Sequence, residues 1–293
     1  TWLKTFLELP KGIPSHDTFG RVFAKIKPTE FQKRFIEWVQ AIEELTSGQV
    51  IAIDGKQLRR SHDREAGKEA IYMVSAWATH NQLVLGQAKV AEKSNEITAI
   101  PELLQLLDIS GCIVTVDAIG TQTEIAETIL AGGGDYLLAV KENQGHLFED
   151  IQYLFEVDVA QGIEQAQYKY AKTVNKGHGR LETRECWVTD QEAYLALVRH
   201  RQDWRGLKSI IRIVSQRKIG DTSKVQTRYF ISSLPADPKS ILKAKRSHWK
   251  IENQVHWVLD IAFREDDSRV RTDHGAENLA VLRHMALNLL KKE

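Results

Sequence analysis

Two short apolar runs in this sequence each end in an aspartate. Asp54 follows residues 50–53 (VIAI), and Asp117 follows residues 113–116 (IVTV). A carboxylate beside a buried strand is costly, because the strand favours apolar neighbours and the charge favours water. Carboxylates in such places are also the hard oxygen ligands that Mg²⁺ prefers. The pair therefore indicates a divalent-cation site and phosphoryl-transfer chemistry.

The same aspartates have a purely structural interpretation, which the sequence leaves open. Asp before Gly is common in turns, as at Asp54-Gly55, and Asp117 is placed to cap a following helix. Their equivalent places at the ends of two strand-like runs favour a site, since the functional crevices of open α/β sheets lie at strand ends. Gly55 and Gly120 are expected to leave backbone room there for a ligand or metal.

A third acid, Glu252, lies in a helix-like stretch, residues 247–263. Recurring apolar residues predict that this helix is largely buried: Trp249, Ile251, Val255, Trp257, Leu259 and Phe263. A polar row runs along one side, one helical turn apart: His248, Glu252, His256 and Asp260. On a buried helix this row is either a hydrogen-bond network or a site. Zinc bound by both histidines is excluded, because two helical turns separate them by roughly 12 Å, too far for one tetrahedral ion.

Composition is that of an ordinary globular chain, with 293 residues, 42% hydrophobic and 27% charged. The net charge is +1, so any binding of nucleic acid has to depend on local basic patches. Cys112 and Cys186 are too few for a disulfide framework or a thiolate zinc site. No apolar run approaches the roughly 18 residues of a membrane span, and a cytoplasmic protein is expected. The chain begins at Thr1 without Met, which predicts a trimmed N-terminus.

The elements that must position these acids follow from periodicity. Helical patterns predict a small N-terminal helical region, residues 1–48, in which Ser15 caps one helix and Pro28 precedes a second. This region is either a helical subdomain packed on the rest of the chain or a DNA-contacting module. From residue 50 the pattern changes to short strands separated by helices.

The strand and helix patterns of residues 49–141 predict an α/β core with a mixed sheet and flanking helices. Strands are predicted at 50–54, 70–79, 82–90, 113–117 and 136–140, and helices at 95–107 and 121–130. A turn at His80-Asn81 makes a hairpin, and Asn95 is a predicted helix cap. The glycines at 132–134 are interpreted as a helix end and turn.

The remaining chain divides into a β-rich insertion, residues 142–238, and a C-terminal helical part of the core, residues 239–293. The insertion is predicted to hold a helix at 147–155 and strands at 183–188, 209–215 and 228–232. Basic and polar residues suited to phosphate or base contacts fall in three groups. They are Lys141, Asn143 and Gln144 after a strand, Arg180 and Arg184 around a glycine turn, and Lys243, Lys245, Arg246 and Lys250 beside Trp249. A polar loop and a charged hairpin tip are the simpler interpretations of the first two groups.

Several segments together resemble the DDE-class transposases of bacterial insertion sequences, and more closely the H-repeat-associated (ISAs-type) group. The segments are LPKGIPSHDTFGRVF at 9–23, IAIDGKQLRRS at 51–61, VDAIGTQT at 116–123, DYLLAVKENQ at 135–144, HGRLETR at 178–184 and HWKIENQVHWVLDIAFRED at 248–266. They follow one another in the family's order over nearly the whole chain.

This resemblance implies a ribonuclease-H-like fold, interrupted by a β-rich insertion before the helix that carries the catalytic glutamate. It also implies that Asp54, Asp117 and Glu252 are the catalytic, metal-binding acids. Two Mg²⁺ or Mn²⁺ ions, DNA ends and target DNA as partners, and a homodimer on DNA are expected. The predicted DNA contacts are Lys56, Lys141, Asn143, Gln144, Arg180, Arg184, Lys245, Arg246, His248, Trp249, Lys250 and His256.

The chain departs from the wider superfamily near its glutamate. The superfamily often places Tyr, Arg and Lys at fixed offsets, where this sequence has Lys245, His248 and Leu259. The phosphate contacts of this helix therefore differ from the family pattern. Two alternatives to a transposase stay open at this point: a catalytically silent DNA-binding relative, and a nuclease on the same fold without strand transfer.

Overall fold

The computed structural model describes residues 2–5, 7–42, 45–62, 67, 69–91, 95–161, 168–177 and 179–293. Within these residues, nine strands form one mixed sheet in the order β3-β2-β1-β4-β5-β9-β8-β7-β6. The strands are β1 Val50–Gln57, β2 Tyr72–Ala78, β3 Leu83–Lys89, β4 Ile113–Val116, β5 Asp135–Val140, β6 Lys169–Gly177, β7 Arg180–Thr189, β8 Ser209–Ile219 and β9 Thr222–Ser232. β4 is parallel to both β1 and β5, and all other neighbours are antiparallel. The predicted α/β class with a mixed sheet is confirmed.

Helices flank this sheet, as predicted. They are α1 His16–Lys25, α2 Pro28–Ile42, α3 Glu96–Gln105, α4 Thr123–Ala131, α5 His146–Gln161, α6 Glu192–Leu195, α7 Pro238–His248, α8 Trp257–Ile261 and α9 Gly275–Lys292. The predicted caps form, because Ser15 accepts a hydrogen bond from the Thr18 amide and Asn95 accepts one from the Ile97 amide. None of the described helices is both long enough and apolar enough to cross a membrane.

The register of β1 and β4 decides where the two aspartates lie. Ile53 pairs with Val116 across these parallel strands, so Asp54 and Asp117 are the next residues of adjacent strands. β1 does not end at Asp54 as the sequence pattern predicts. It continues to Gln57 by pairing with β2, whereas β4 stops at Val116. The end of β4 therefore opens a space beside the middle of β1.

The insertion differs from its prediction in extent. β6 is absent from the sequence prediction, because most of its residues are exposed and its apolar residues do not alternate clearly. β8 and β9 are longer than predicted, since their outer halves are polar and exposed. β9 pairs with β5, so the strands of the insertion continue the core sheet.

The segment that carries Glu252 joins α7 to α8. Residues Glu252–His256 form a π-helical turn between them. Ile251, Val255 and Leu259 are buried in the main core, as predicted. The prediction of a largely buried helix is wrong for the two tryptophans, because Trp249 is 48% exposed and Trp257 is 60% exposed. Apolar periodicity alone could not separate these exposed rings from the buried face.

The C-terminal helix α9 is hydrogen-bonded to the end of α1 and to the outer strand β3. Asn278 donates to the backbone oxygens of Phe23 and Ile26, at 2.7 and 2.9 Å, and so holds the end of α1. Asn288 accepts from the Val84 amide and donates to the Val84 oxygen, both at 2.8 Å. The N-terminal helices thus pack on the rest of the chain, consistent with the simpler of their two interpretations.

Candidate metal centre

Asp54, Glu252 and His256 form a cluster that could hold a metal ion. Each offers one ligand atom, and these atoms all lie within 4.8 Å of one another. Nδ1 of His256 lies 3.2 Å from Oε2 of Glu252 and 3.6 Å from Oδ2 of Asp54. The cluster joins an acid of the sheet to two residues of the downstream helix, and it brings together two of the three predicted acids.

The π-helical turn explains how Glu252 and His256 come to share this place. Such turns are rare and are frequent at functional sites. His256 is 5% exposed, and its Nε2 has no hydrogen-bond partner among the described residues. Burial lowers the pKa of His256, although Glu252 opposes the effect. A neutral imidazole is the form that can bind a metal.

Asp54 lies partly buried among other carboxylates. Its Oδ1 accepts a hydrogen bond from the Gly55 amide at 3.0 Å. Burial, followed by the charges of Asp117, Glu96 and Glu252, raises the pKa of Asp54 to about 7, and the Gly55 hydrogen bond offsets this only in part. Several carboxylates facing one another in a partly buried place are what a divalent cation would neutralise.

The raised pKa of Asp54 makes a prediction for the metal-free protein. Asp54 should bind a proton in the folded state up to about pH 7 but release it near pH 3.8 when unfolded. The native state therefore holds more protons in this window, and the free energy of unfolding falls as pH rises through it, by at most about 4 kcal/mol. Replacing Asp54 by Asn should flatten this fall and make the chelator-treated protein more stable than wild type at about pH 8. Urea unfolding across the window measures both curves, and parallel curves would contradict the prediction.

Asp117 lies in the same cavity but outside the three-residue cluster. Its Oδ1 accepts from the Ile119 amide at 3.1 Å and the Gly120 amide at 3.4 Å, so the structural role left open by the sequence is present. Its charge also raises the pKa of Asp54. Asp117 thus supports a turn and faces the site at once.

The loop after Asp117 is fixed by residues that the sequence suggested for DNA contacts. Asn143 donates from Nδ2 to the Ala118 oxygen at 2.8 Å, and Gln144 donates from Nε2 to the same oxygen at 3.4 Å. Thr121 donates from Oγ1 to the Ala139 oxygen at 2.5 Å. These bonds position the Asp117 loop against β5.

The glycines beside the aspartates do not leave the space that the sequence suggested. A Cβ at Gly120 would overlap the side chains of Val116 and Ile100, which fill that side of the turn. A Cβ at Gly55 would lie 2.5 Å from Oε1 of Glu96, a residue that the sequence pattern does not single out. Both glycines therefore make room for the protein's own side chains.

A cavity of about 290 Å³ separates the acids from a set of basic groups. Asp54, Asp117 and Glu252 lie on its acidic side. We define the basic wall as Lys141, Arg184, Arg228, Lys245 and Arg246. Three of these residues line the cavity, Lys141, Arg228 and Lys245.

The basic wall is held by contacts among α7, β6, β7 and β9. Arg184 and Arg246 both donate to Oδ1 of Asn175, at 3.2 and 3.1 Å. The Arg228 guanidinium lies 4.8 Å from the ring centre of Trp249. Burial, followed by the charges of Arg228 and Arg184, lowers the pKa of Lys245 to about 8. Positive charges concentrated in this way favour an anion such as a phosphate.

His248 faces the same cavity in neutral form. Its Nδ1 lies 3.0 Å from Oγ1 of Thr115, and burial lowers its pKa to about 4. Leu259, at the third position where the chain departs from the superfamily, is buried and faces the core. Of the three departures, Lys245 and His248 thus line the cavity.

Lys56 is held inside the protein rather than presented to solvent. Its Nζ lies 2.5 Å from Asp260, 2.9 Å from Glu265 and 3.3 Å from Asp266. Its side chain is 12% exposed and that of Glu265 is 3% exposed. These ion pairs join β1 to the end of the helix that carries Glu252, so Lys56 positions the two halves of the site.

The remaining predicted DNA contacts are dispersed. Arg180 lies beside the β6–β7 turn and pairs at 3.1 Å with Glu182, which also pairs at 2.5 Å with Arg184 of the basic wall. Lys250 is exposed, next to the half-exposed Trp249. His178, the first residue of the segment 178–184 that contains Arg180 and Arg184, lies outside the described residues.

Both family models and individual proteins are similar to this chain. A family model described as "Transposase DDE domain" matches residues 45–289, and one described as "DDE_Tnp_1-associated" matches residues 1–39. Putative transposase YncI of Escherichia coli O157:H7 is 43% identical, over 99% of this chain and 74% of that protein. The H repeat-associated putative transposase YhhI of Escherichia coli K12 is 41% identical, over 100% of this chain and 77% of that protein.

Solved structures add little. A piggyBac transposase synaptic complex with hairpin DNA aligns over 91% of this chain and 59% of that chain, with a TM-score of 0.39 and 10% identity. That score is too low to support an argument. The family models and the relatives that align over the whole of this chain are sufficient, because they cover the N-terminal helices, the sheet and the helix of Glu252 alike. The chain therefore belongs to the DDE transposases, the enzymes that cleave and transfer the DNA of insertion sequences, and within them to the H-repeat-associated group.

Proposed function

We propose that this transposase cleaves and joins DNA strands with Asp54, Asp117 and Glu252 as its cation-binding carboxylates. The observation that carries the proposal is the pairing of Ile53 with Val116, which makes two acids neighbours on parallel strands. The helix of Glu252 then approaches Asp54 to within the distances of a shared ion. A ribonuclease-H-like core accounts for this placement, with residues 142–238 inserted between β5 and α7.

The donor set fits divalent cations. Oxygen donors from Asp54, Asp117 and Glu252 suit Mg²⁺ and Mn²⁺, and the imidazole of His256 is a donor that Mn²⁺ accepts more readily than Mg²⁺. Burial, followed by repulsion from the neighbouring carboxylates, raises the pKa of Asp54 to about 7, and such cations would offset that repulsion. Bound in a pair, the cations would activate the attacking hydroxyl or water and stabilise the leaving oxygen.

The chain's own residues supply the rest of the chemistry. Lys245 and Arg228 face the acids across the cavity and are placed to hold the phosphate under attack. Trp249, stacked on Arg228 and half exposed, offers a face for an unpaired base. Asn143 and Thr121 keep the Asp117 loop in place while DNA enters.

The basic wall leads from this cavity to the exposed side of the insertion and is proposed as the DNA path. Replacing Arg246 by Gln should weaken DNA binding uniformly across sequences. It should also reduce the slope of log affinity against log salt by about 0.9, the contribution of one phosphate contact. Fluorescence anisotropy at several salt concentrations measures the slope.

Arg205 provides the matched control for Arg246. Arg205 is exposed and pairs with Glu127 at 2.9 Å. Through this pair it contacts α4, and it is not part of the basic wall. Arg205→Gln should leave both affinity and salt slope at wild-type values, and an equal loss in the two variants would contradict the proposed path.

The test of the proposed function is a cleavage assay on DNA that carries the ends of the element. The purified chain is incubated with Mg²⁺, with Mn²⁺ or with chelator, and nicked and joined products are separated on denaturing gels. Metal-dependent nicking followed by joined product supports the proposal. Nicking without joined product identifies a nuclease, and DNA binding without nicking identifies a catalytically silent relative. The same incubation, analysed by light scattering, tests whether two copies assemble on DNA.

A further inference from the structure

We propose that the exposed side of the helix that carries Glu252 binds unpaired nucleotides of the DNA strand at the cleavage site. This side is named the exposed stripe and consists of Trp249, Trp257 and Ile261. The inference rests on the proposed function, because it names the form of DNA that the same site takes. That form is a strand whose bases have left the duplex.

The π-helical turn aligns the three residues of the exposed stripe. Two α-helical turns contain about seven residues. A π turn closes with a bond that is one residue longer, here from the Trp257 amide to the Glu252 oxygen. Trp249 and Trp257, eight residues apart across this turn, therefore lie on the same side of the helix. Ile261 follows Trp257 by one α-helical turn.

The burial of this helix agrees with the alignment. On the exposed stripe, Ile261 is 61% exposed, as open as the ring of Trp257. The side that packs in the main core carries Ile251, Val255 and Leu259. Large apolar side chains that lie in one exposed row, rather than scattered singly, mark a binding surface.

The position of Glu252 decides which partner fits the exposed stripe. Glu252 lies between the two tryptophans along the helix, and its side chain is 60% exposed. A protein that covered both rings would also cover Glu252 and close the cavity to DNA. Trp249 itself lines the cavity and lies against Arg228 of the basic wall. The partner that reaches both rings and leaves the acids in use is therefore the substrate strand.

Stacking explains why this strand is unpaired. A base inside a duplex is covered on both faces by its neighbours, whereas an unpaired base offers a free face to an indole ring. The two tryptophans are separated by roughly 12 Å along the helix, which spans between about three and four nucleotides at the 3.4 Å spacing of one strand. Stacking on aromatic rings tolerates any base, so the exposed stripe holds the strand without reading its sequence.

The test compares two strands that carry the same phosphates. One is a single-stranded oligonucleotide from the end of the element, and the other is an abasic backbone of the same length. Fluorescence anisotropy in the presence of chelator measures both affinities, so that neither depends on bound cations. Trp257→Ala should bind the strand with bases about 10-fold or more weakly than wild type, and the abasic strand like wild type. Trp257→Phe keeps a stacking ring and should retain most of the affinity.

Tyr153→Ala is the matched control. Tyr153 is an exposed aromatic residue of α5, on the face of the sheet opposite α7. The two faces are told apart by neighbouring residues of β9, since Tyr229 stacks on Phe155 of α5, whereas Phe230 packs in the cluster that contains α7. Tyr153→Ala should bind both strands like wild type.

Two outcomes would overturn this inference. In the first, Trp257→Ala binds both strands like wild type, or loses the same factor on each. In the second, Trp257→Ala changes the mass of the DNA-free protein in light scattering, which would assign the exposed stripe to a second copy of the chain. Both outcomes leave the proposed function intact, because metal-dependent cleavage is measured separately. Base-dependent binding by a chain that never cleaves would instead overturn the proposed function and keep the exposed stripe.

Discussion

Replacing Asp117 by Asn is expected to abolish metal-dependent DNA cleavage, by about 10³-fold or more, and to leave the fold intact. The size follows from losing one anionic ligand of the cations, which is worth several kcal/mol in the transition state. The fold should survive because Asn also offers Oδ1 to the amides of Ile119 and Gly120, the two donors that Asp117 serves. Only the charge is removed. The cleavage assay and a thermal melt measure the two parts of the prediction.

Asp108 provides a matched control, since it makes the same kind of turn away from the cavity. Its Oδ1 accepts from the Ser110 amide at 3.1 Å, and it is exposed. Asp108→Asn should cleave DNA at the wild-type rate. If Asp117→Asn retained full metal-dependent activity, Asp117 would be a turn residue and nothing more.

Replacing Lys56 by Met is expected to lower the free energy of unfolding by about 3–5 kcal/mol, the usual result of leaving a buried charge without its partner. Burial opposes the charge of Lys56, but Glu265 and Asp260 outweigh burial and raise its pKa. In the variant, the buried Glu265 keeps only Arg283, at 3.5 Å, among the ion pairs described. Cleavage should fall as well, because the strand of Asp54 loses its tie to the helix of Glu252. Urea unfolding measures the loss.

A surface pair and a double variant sharpen this experiment. Lys172 and Glu185 lie 3.3 Å apart with side chains 48% and 30% exposed, so Lys172→Met should cost less than about 1 kcal/mol. Lys56→Met combined with Glu265→Gln should recover part of the loss, since the orphaned charge is removed. Equal losses for Lys56→Met and Lys172→Met would show that the internal ion pairs contribute no more than surface ones.

The sequence predicts the sheet and the neighbouring aspartates well, because both depend on local patterns. Short apolar runs place β1 and β4, and the equivalent positions of Asp54 and Asp117 in those runs predict that they meet. The polar row around Glu252 likewise predicts its proximity to the site. Periodicity does not predict the partner of each polar residue. Lys56, for example, is predicted as a DNA contact but forms ion pairs with three acids.

Glu96 shows a second limit. An acid directly after a capping Asn is common at the start of any helix, so its type and position carry no sign of a site. Its contact with the strand of Asp54 depends on Gly55 and Tyr72, which lie on two strands far from it in the sequence. β6 is missed for a different reason: Ala171 is its one buried residue, so the strand shows no apolar alternation.

The two outer strands of the sheet limit how copies of this transposase can meet. Asn288 occupies the backbone amide and oxygen of Val84 on the outer strand β3, as a neighbouring strand would. The opposite outer strand, β6, carries Lys169, Lys172 and Lys176, and rows of lysine repel a second strand of the same kind. Both features disfavour the pairing of a strand from another molecule at these borders. Any contact between two copies is therefore expected to use helices and loops rather than the sheet.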